Sequence, residues 1–187
     1  MLREARQQGR PVGLLRGLAE RLPLAPGALD VVFCVHAIHH FDDPQAFIRE
    51  AGRVLRPGGT LAVVGTDPRG RPESWYGFHY FAGAYETDLR RVPAWATVRG
   101  WMAEAGFGEI GLQEVDRAVA AFAGRAVLSD PFLRQNASSQ TALLSDEVYQ
   151  AGLKGIEADV ARAEARGETI VFHTDIRVEM LSGRKGG

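Results

Sequence analysis

Two continuous apolar runs on either side of one helix constrain the fold of this chain most strongly. The runs are ALDVVFCV at 28–35 and TLAVVGT at 60–66, and neither alternates with polar residues. Such runs are typical of strands that are buried on both faces of a parallel sheet. Between them, Asp43 and Pro44 suit the N-cap and first position of a helix, and Arg-Pro-Gly-Gly at 56–59 suits its end. This region therefore predicts a strand, a helix and a second parallel strand.

The rest of the chain continues the alternation of strands and helices. The other predicted elements are, in chain order, a helical fragment at 2–9, a strand at 11–18, a helix at about 95–105 that ends at Gly106, a half-exposed strand at 109–115, a helix at 145–166 with one apolar stripe, and a strand at 169–181 with one polar face. This order predicts an α/β fold in which parallel strands come first and antiparallel strands come last.

Length and charge exclude several classes of protein. The 187 residues, 45% hydrophobic and 24% charged, predict a single domain over 1–187. A net charge of −1 provides no basic surface for nucleic acid. No apolar stretch approaches the roughly 20 residues that cross a membrane, and the single cysteine, Cys34, cannot form an internal disulfide. We therefore expect a cytoplasmic protein without a nucleic-acid or membrane partner.

Three histidines follow the first apolar run. His36, His39 and His40 have a spacing that could present ring nitrogens to zinc from one side of a helix. However, they follow a predicted strand, and no second group of His or Cys supplies distant ligands. We therefore predict no metal site here and interpret the segment as a loop. Loops at the carboxyl ends of strands are where small ligands bind in open α/β sheets.

Several motifs together resemble one protein family. They are Ala-Glu-Arg-Leu-Pro-Leu at 19–24, Leu-Asp-Val-Val at 29–32, His-His-Phe-Asp-Asp-Pro at 39–44, Glu-Ala-Gly-Arg-Val-Leu-Arg-Pro-Gly-Gly at 50–59 and Ala-Gly-Phe at 105–107. In this order they resemble the class I S-adenosylmethionine-dependent methyltransferases, and in particular a broad group that acts on small molecules. The resemblance covers about residues 1–116.

The resemblance implies a Rossmann-like methyltransferase sheet and S-adenosylmethionine as cofactor. It places the backbone of Leu18, Ala19 and Glu20 along the adenine, and Val35 and His36 near the methionine part. Many relatives carry an acid at the position of Leu18. Leucine cannot accept a hydrogen bond from the adenine amino group, so selectivity for adenine through this side chain is in question.

The resemblance also implies that part of the family's pattern is missing. The glycine-rich loop after the family's first strand, and the acid that ends its second strand, have no counterpart here. We therefore expect an N-terminally truncated domain that lacks the first two strands. In the family these strands separate 11–18 from 29–35, by about 14 Å at about 4.8 Å per strand. Without them, Val31 to Cys34 would form an open sheet edge that could pair with another chain or with a second copy in a homodimer.

The expected reaction is methyl transfer to a small molecule, for which the protein supplies mainly proximity and alignment. His36, His39 and His79 are candidate bases, since imidazole titrates near neutrality. The aromatic segment 72–85 either covers a substrate, through Trp75, Tyr76, His79 and Tyr80, or packs in the core. Segments 67–94 and 117–168 could both contribute to such a cover.

Two rival functions remain open from the sequence. A non-catalytic methyltransferase-like module could dimerise or bind a partner through the open edge, which the missing glycine-rich loop favours. A metal hydrolase that uses the histidines has the least support, because the residues for a complete ligand set are lacking.

Overall fold

The computed structural model of this protein describes residues 13–187. The predicted helical fragment at 2–9 and the first two residues of the predicted strand at 11–18 lie outside the described residues. Residues 13–18 form no strand apart from an isolated bridge between Leu18 and Arg21. The prediction is wrong for this part because the described residues offer it no neighbouring strand, and a turn in which Arg21 N donates to Leu18 O replaces it.

The described chain divides into two compact units. Unit 1 comprises the described residues up to Val64, together with Trp95–Leu112 and Leu181–Gly187. Unit 2 comprises Gly65–Ala94 and Gln113–Met180. Each unit has its own cluster of buried apolar side chains.

Four strands form one sheet. They are β1 (Leu29–Val35), β2 (Leu55–Gly65), β3 (Phe107–Ala123) and β4 (Val171–Lys185). Their order is β1-β2-β4-β3. β1 and β2 are parallel, with Val32 opposite Leu61 and Cys34 opposite Val63, and the other pairs are antiparallel. The predicted order of parallel strands followed by antiparallel strands is therefore confirmed.

Six α-helices connect these strands. They are α1 (Pro44–Val54), α2 (Gly77–Tyr80), α3 (Ala84–Arg91), α4 (Trp95–Glu104), α5 (Ser139–Ala142) and α6 (Asp146–Ala165). Short 3-10 helices occupy Ile38–His40, Pro72–Ser74, Gly124–Ser129 and Pro131–Leu133. The number of helices refers to residues 13–187 alone.

Helix α1 begins and packs as its sequence predicts. The Asp43 side chain accepts a hydrogen bond from Ala46 N at 2.8 Å, and Pro44 occupies the first turn. Ile48 and Val54 of α1 are fully buried in the unit 1 core, with Leu61 of β2 and Met102 of α4. The strand–helix–strand prediction for 28–66 is confirmed.

Strand β1 differs from its prediction in one respect. Val32 and Cys34 are buried, but Val31, Phe33 and Val35 are 54%, 71% and 50% exposed. Burial on both faces was predicted from the continuous apolar run, and only one face is buried. The reason is that Val32 and Cys34 face the unit 1 core, whereas no element within residues 13–187 covers the face that carries Val31, Phe33 and Val35.

Unit 2 has an aromatic core. Trp75, Phe81 and Phe172 are buried there against Ile156 and Val160 of α6. The predicted apolar stripe of α6 is confirmed, and Ser145 caps the helix by accepting from Val148 N. Within 13–187, no helix is both long enough and apolar enough to span a membrane.

Candidate functional site

Unit 1 contains a pocket of about 390 Å³ that is built from two segments of chain. Its lining residues lie within 15–24 and 40–42. The first segment includes the turn at Leu18–Arg21, and the second follows β1 and its 3-10 turn. The pocket thus joins two of the motifs that carry the family resemblance.

Helix α1 holds the first segment in place. Leu22 N donates to Glu50 Oε1 at 2.6 Å, and Arg53 Nη2 donates to Leu22 O at 3.2 Å. Arg53 also donates to both carboxylate oxygens of Glu50, at 2.7 and 2.8 Å. These hydrogen bonds from Arg53 lower the pKa of Glu50. A charged Glu50 therefore remains available to anchor Leu22, and with it the wall of the pocket.

The second segment is fixed by the start of α1. Asp43 N donates to Glu20 Oε1 at 3.4 Å, which connects the two segments directly. The ring of Phe41 packs against that of Phe47 in α1, with centroids 4.9 Å apart. His39 and His40 lie side by side, with ring centroids at 4.2 Å.

The structure brings together some of the predicted cofactor residues. Leu18, Ala19 and Glu20 all line the pocket. Val35 and His36 do not line it. His36 has a positive φ of 48° at the end of β1, and its N–H donates to Val64 O at 2.9 Å. Of the three clustered histidines, His40 lines the pocket, whereas the candidate bases His36 and His39 do not.

The pocket suits an adenosine-like group in size and chemistry. Small-molecule pockets range from about 300 to 1,000 Å³. Leu18, Leu22 and Phe41 offer apolar surface for a flat ring, and Leu18 is 67% exposed. The carboxylates of Glu20 and Asp42 also line the pocket, and they could accept from hydroxyl or amino groups. The residues present thus fit the nucleoside part of S-adenosylmethionine.

The predicted substrate residues lie in unit 2, where three of them pack in or against its core. Trp75 and Tyr76 are 5% and 8% exposed, Tyr80 is half-buried, and His79 is exposed. Tyr76 Oη donates to Asp130 Oδ2 at 2.6 Å, and Tyr80 Oη donates to Asp159 Oδ2 at 2.9 Å. Burial raises the pKa of Tyr76, and burial together with Asp159 raises the pKa of Tyr80 to about 12. Both phenols are therefore neutral hydrogen-bond donors near neutral pH.

Two features of the site were not singled out from the sequence. The anchoring pair Glu50 and Arg53 was noted only as part of a motif, although the three-residue spacing in a helix is itself a signal for an ion pair. The contribution of Phe41 and Asp42 to the pocket depends on tertiary structure. In the part of the chain that the structure describes, no group of three or more His, Cys, Asp or Glu is placed to hold a metal ion.

The first third of the chain matches a known family. Residues 1–63 match the family model described as a methyltransferase domain. This match agrees with the predicted resemblance to the class I methyltransferases over this segment. Both segments of the pocket fall within the matched residues.

Curated relatives match over short stretches. The chain is 41% identical to the uncharacterised protein YafE of Escherichia coli over 69 residues, which are 37% of this chain and 33% of that protein. It is 47% identical over 45 residues to 27-O-demethylrifamycin SV methyltransferase of Amycolatopsis mediterranei, covering 24% of this chain and 16% of that enzyme. The matched part of the chain thus spans about a third or less of the length of these relatives.

Solved structures share the fold over nearly the whole chain. A methyltransferase-like protein of Anabaena variabilis has a TM-score of 0.64 at 21% identity, covering 90% of this chain and 72% of that one. A S-adenosylmethionine-dependent methyltransferase of Thermotoga maritima has a TM-score of 0.53 at 23% identity, covering 99% and 69%. The prediction of a Rossmann-like methyltransferase fold is confirmed.

Proposed function

We propose that this chain takes part in S-adenosylmethionine-dependent methyl transfer to a small-molecule acceptor. The observation that carries the proposal is the pocket of unit 1, which is built entirely from the segment that matches the methyltransferase family. Its apolar side chains and carboxylates suit the nucleoside part of the cofactor. S-adenosylmethionine supplies an activated methyl group, so the protein needs few groups that react.

The residues of the chain contribute binding and orientation. Leu18 and Leu22 exclude water from one side of the pocket, while Glu20 and Asp42 accept hydrogen bonds. The pair Glu50 and Arg53 keeps this wall in position through Leu22. The candidates for a base, where the acceptor needs one, are His39, His36 and His79, in that order of closeness to the pocket along the chain.

A small-molecule acceptor agrees with the relatives and with the charge of the chain. Two relatives are 27-O-demethylrifamycin SV methyltransferase and malonyl-[acyl-carrier protein] O-methyltransferase. A net charge of −1 provides no basic surface for a nucleic acid. Of the predicted substrate residues Trp75, Tyr76, His79 and Tyr80, the exposed His79 remains the main candidate for contact with an acceptor, since Trp75 and Tyr76 are buried.

Isothermal titration with S-adenosylmethionine and with S-adenosylhomocysteine tests the proposal. Leu18→Arg places a bulky charge in the pocket at an exposed position and should weaken binding at least about tenfold. Leu143→Arg is the matched control, because Leu143 is 56% exposed and lies outside the pocket. Equal binding by the two variants, or no binding by the unmodified chain, would exclude this pocket as the cofactor site.

The exposed face of β1 favours a second candidate function. A non-catalytic module that dimerises or binds a partner through this edge would need no cofactor. Titration separates the candidates, since such a module would associate with its partner without binding S-adenosylmethionine.

A further inference from the structure

Unit 2 contains a cavity of about 280 Å³ beside the carboxyl end of α6. Its lining residues lie within 159–170, on the last turns of the helix and on the chain that follows it, and all of them belong to unit 2. The cavity lies outside the segment that matches the methyltransferase family. Small-molecule pockets range from about 300 to 1,000 Å³, so a cavity of this volume suits a small ligand.

The walls of this cavity are fixed by the chain itself. Gly167 has a φ of 69° and ends the helix, and Glu168 N donates to Ala163 O at 2.9 Å. This is the glycine turn that closes many helices. Ile170 is half-buried against the unit 2 core, and its carbonyl oxygen accepts from Gly124 N at 2.9 Å. The turn and the returning chain are therefore both held in place.

Two of the four charged side chains that line the cavity already have partners. Asp159 accepts a hydrogen bond from Arg162 Nη1 at 2.6 Å and another from Tyr80 Oη at 2.9 Å. The Tyr80 phenol remains a donor near neutral pH, because burial together with Asp159 raises its pKa to about 12. The charges of Asp159 and Arg162 thus balance each other within the protein.

The other two charged side chains, Arg166 and Glu168, carry opposite charges and line the same cavity. Among residues 13–187, neither forms an ion pair or a side-chain hydrogen bond, with the other or with any other group. Arg166 suits its place, because the carboxyl end of a helix favours a cation. Glu168 lies just past the same end, where a carboxylate is disfavoured. A cation beside Glu168 would remove this unfavourable interaction.

A ligand with both charges would satisfy both side chains. The guanidinium of Arg166 is a planar fork of donors that matches a carboxylate, and Glu168 can accept from an ammonium group. Thr169 adds a hydroxyl, while Ala163 and Ile170 add apolar surface. A ligand with one charge would leave one of the two side chains without a partner. An α-amino acid carries an ammonium, a carboxylate and a side chain on one carbon.

We propose that this cavity binds a small zwitterion, an α-amino acid with an apolar side chain. The carboxylate of the ligand accepts from Arg166, its ammonium donates to Glu168, and its side chain packs on Ala163 and Ile170. The site lies within unit 2, so the proposal does not depend on S-adenosylmethionine binding in the pocket of unit 1.

Titration of L-leucine into the nitrogen-15-labelled full chain tests the site through amide chemical shifts. The amides of 166–170 should shift, with a Kd of about 1 mM or lower. Two analogues of the same skeleton each lack one charge. They are 4-methylpentanoate, without the amino group, and 3-methylbutylamine, without the carboxyl group. Each should bind at least about tenfold more weakly than leucine. Failure of leucine to shift these amides, or equal binding by either analogue, would overturn the proposal.

Two substitutions assign the two charges. Arg166→Gln should weaken leucine binding at least about tenfold and leave 3-methylbutylamine unaffected, since that analogue has no carboxylate. Glu168→Gln should weaken leucine binding and leave 4-methylpentanoate unaffected. Both side chains are exposed, so both variants should fold. Arg134→Gln is the control, because it removes an exposed guanidinium of unit 2 outside the cavity. Equal leucine binding by Arg166→Gln and Arg134→Gln would refute the site.

Leu18→Arg distinguishes this cavity from the pocket of unit 1. S-adenosylmethionine itself carries an α-amino acid group, so leucine could also enter its site. Leu18→Arg places a charge in the unit 1 pocket and should leave the leucine-induced shifts of 166–170 unchanged. Loss of these shifts in Leu18→Arg would assign leucine to unit 1 and overturn the proposal. Failure of the chain to bind S-adenosylmethionine would leave the shifts as they are, so the two proposals are tested separately.

Discussion

Leu18 presents an apolar side chain to the pocket at a position where many class I methyltransferases carry an acid. Because the side chain is 67% exposed, its replacement should cost little stability. Leu18→Asp adds an acceptor for the adenine amino group. A hydrogen bond of this kind is worth about 0.5–1.5 kcal/mol, so we expect the Kd for S-adenosylmethionine to fall by about two- to thirteenfold.

The control for this prediction is Leu18→Ala, which removes the apolar side chain without adding an acceptor. Affinity for the inosine analogue, which lacks the amino group, should not improve in Leu18→Asp. If Leu18→Asp and Leu18→Ala bind the cofactor equally, Leu18 does not face the adenine.

Cys34 should be unreactive in the folded protein. Its side chain is buried in the unit 1 core, and burial raises the pKa of the thiol to about 11. Near pH 8 the thiol is therefore protonated, and Ellman's reagent should label it only after unfolding. Rapid labelling of the native protein at this pH would contradict the buried position.

The raised pKa of Cys34 makes the free energy of unfolding depend on pH in the alkaline range. In the unfolded chain the thiol ionises near its ordinary pKa of about 8.5. Above that pH the unfolded state loses the proton first, so stability should fall as pH rises from about 8.5 towards about 11. Urea unfolding of Cys34→Ala, which lacks the thiol, should show a smaller fall over this range.

Tyr76 should contribute to stability whether or not it contacts a substrate. Tyr76→Phe leaves the buried carboxylate of Asp130 without its 2.6 Å donor. An unpaired buried polar group costs about 1–3 kcal/mol of unfolding free energy. Tyr80→Phe removes a similar bond to Asp159 in a half-buried setting and should cost less. Equal unfolding curves for Tyr76→Phe and the unmodified protein would show that the bond to Asp130 contributes nothing.

At the scale of single elements, α1 depends on one cap. Asp43→Ala removes the side-chain acceptor for Ala46 N and should lower the unfolding free energy by about 1 kcal/mol. Asp42→Ala is a close control, because it removes an equal charge one residue earlier without removing the cap. Chemical denaturation of both variants should therefore separate the cap from the charge, and equal losses would assign the effect to charge alone.

Local signals in the sequence were sufficient to predict several elements. Asp43 and Pro44 define the start of α1 through the geometry of the helix terminus, and Gly106, with a φ of 83°, follows the end of α4. The prediction of a strand at 11–18 failed over the described residues 13–18, because a strand forms only when a neighbouring strand pairs with it. Apolar residues such as Leu15 do not reveal whether such a neighbour is present. The exposed face of β1 could not be predicted either, because apolar residues do not reveal whether another element covers a face of the sheet.

At the scale of the whole molecule, the pocket required information that local patterns lack. Leu18, Ala19 and Glu20 were predicted to bind cofactor through the family resemblance, and the structure brings them to His40, Phe41 and Asp42, about twenty residues further along the chain. The bonds from Glu50 and Arg53 to Leu22 span 28 and 31 residues. Side chains that meet over such distances are fixed by tertiary packing, which a spacing pattern does not encode.

The two units should respond differently to the cofactor. A ligand that binds only the folded site stabilises the structure around it, and the proposed site lies in unit 1. We expect S-adenosylmethionine to slow amide hydrogen exchange in 15–24 and 40–42 more than in the unit 2 segment 146–165. That segment forms α6 and serves as the internal control. Protection confined to unit 2 would place the cofactor elsewhere. The absence of protection in both units would leave the fold as a methyltransferase-like scaffold and favour its role as an association module.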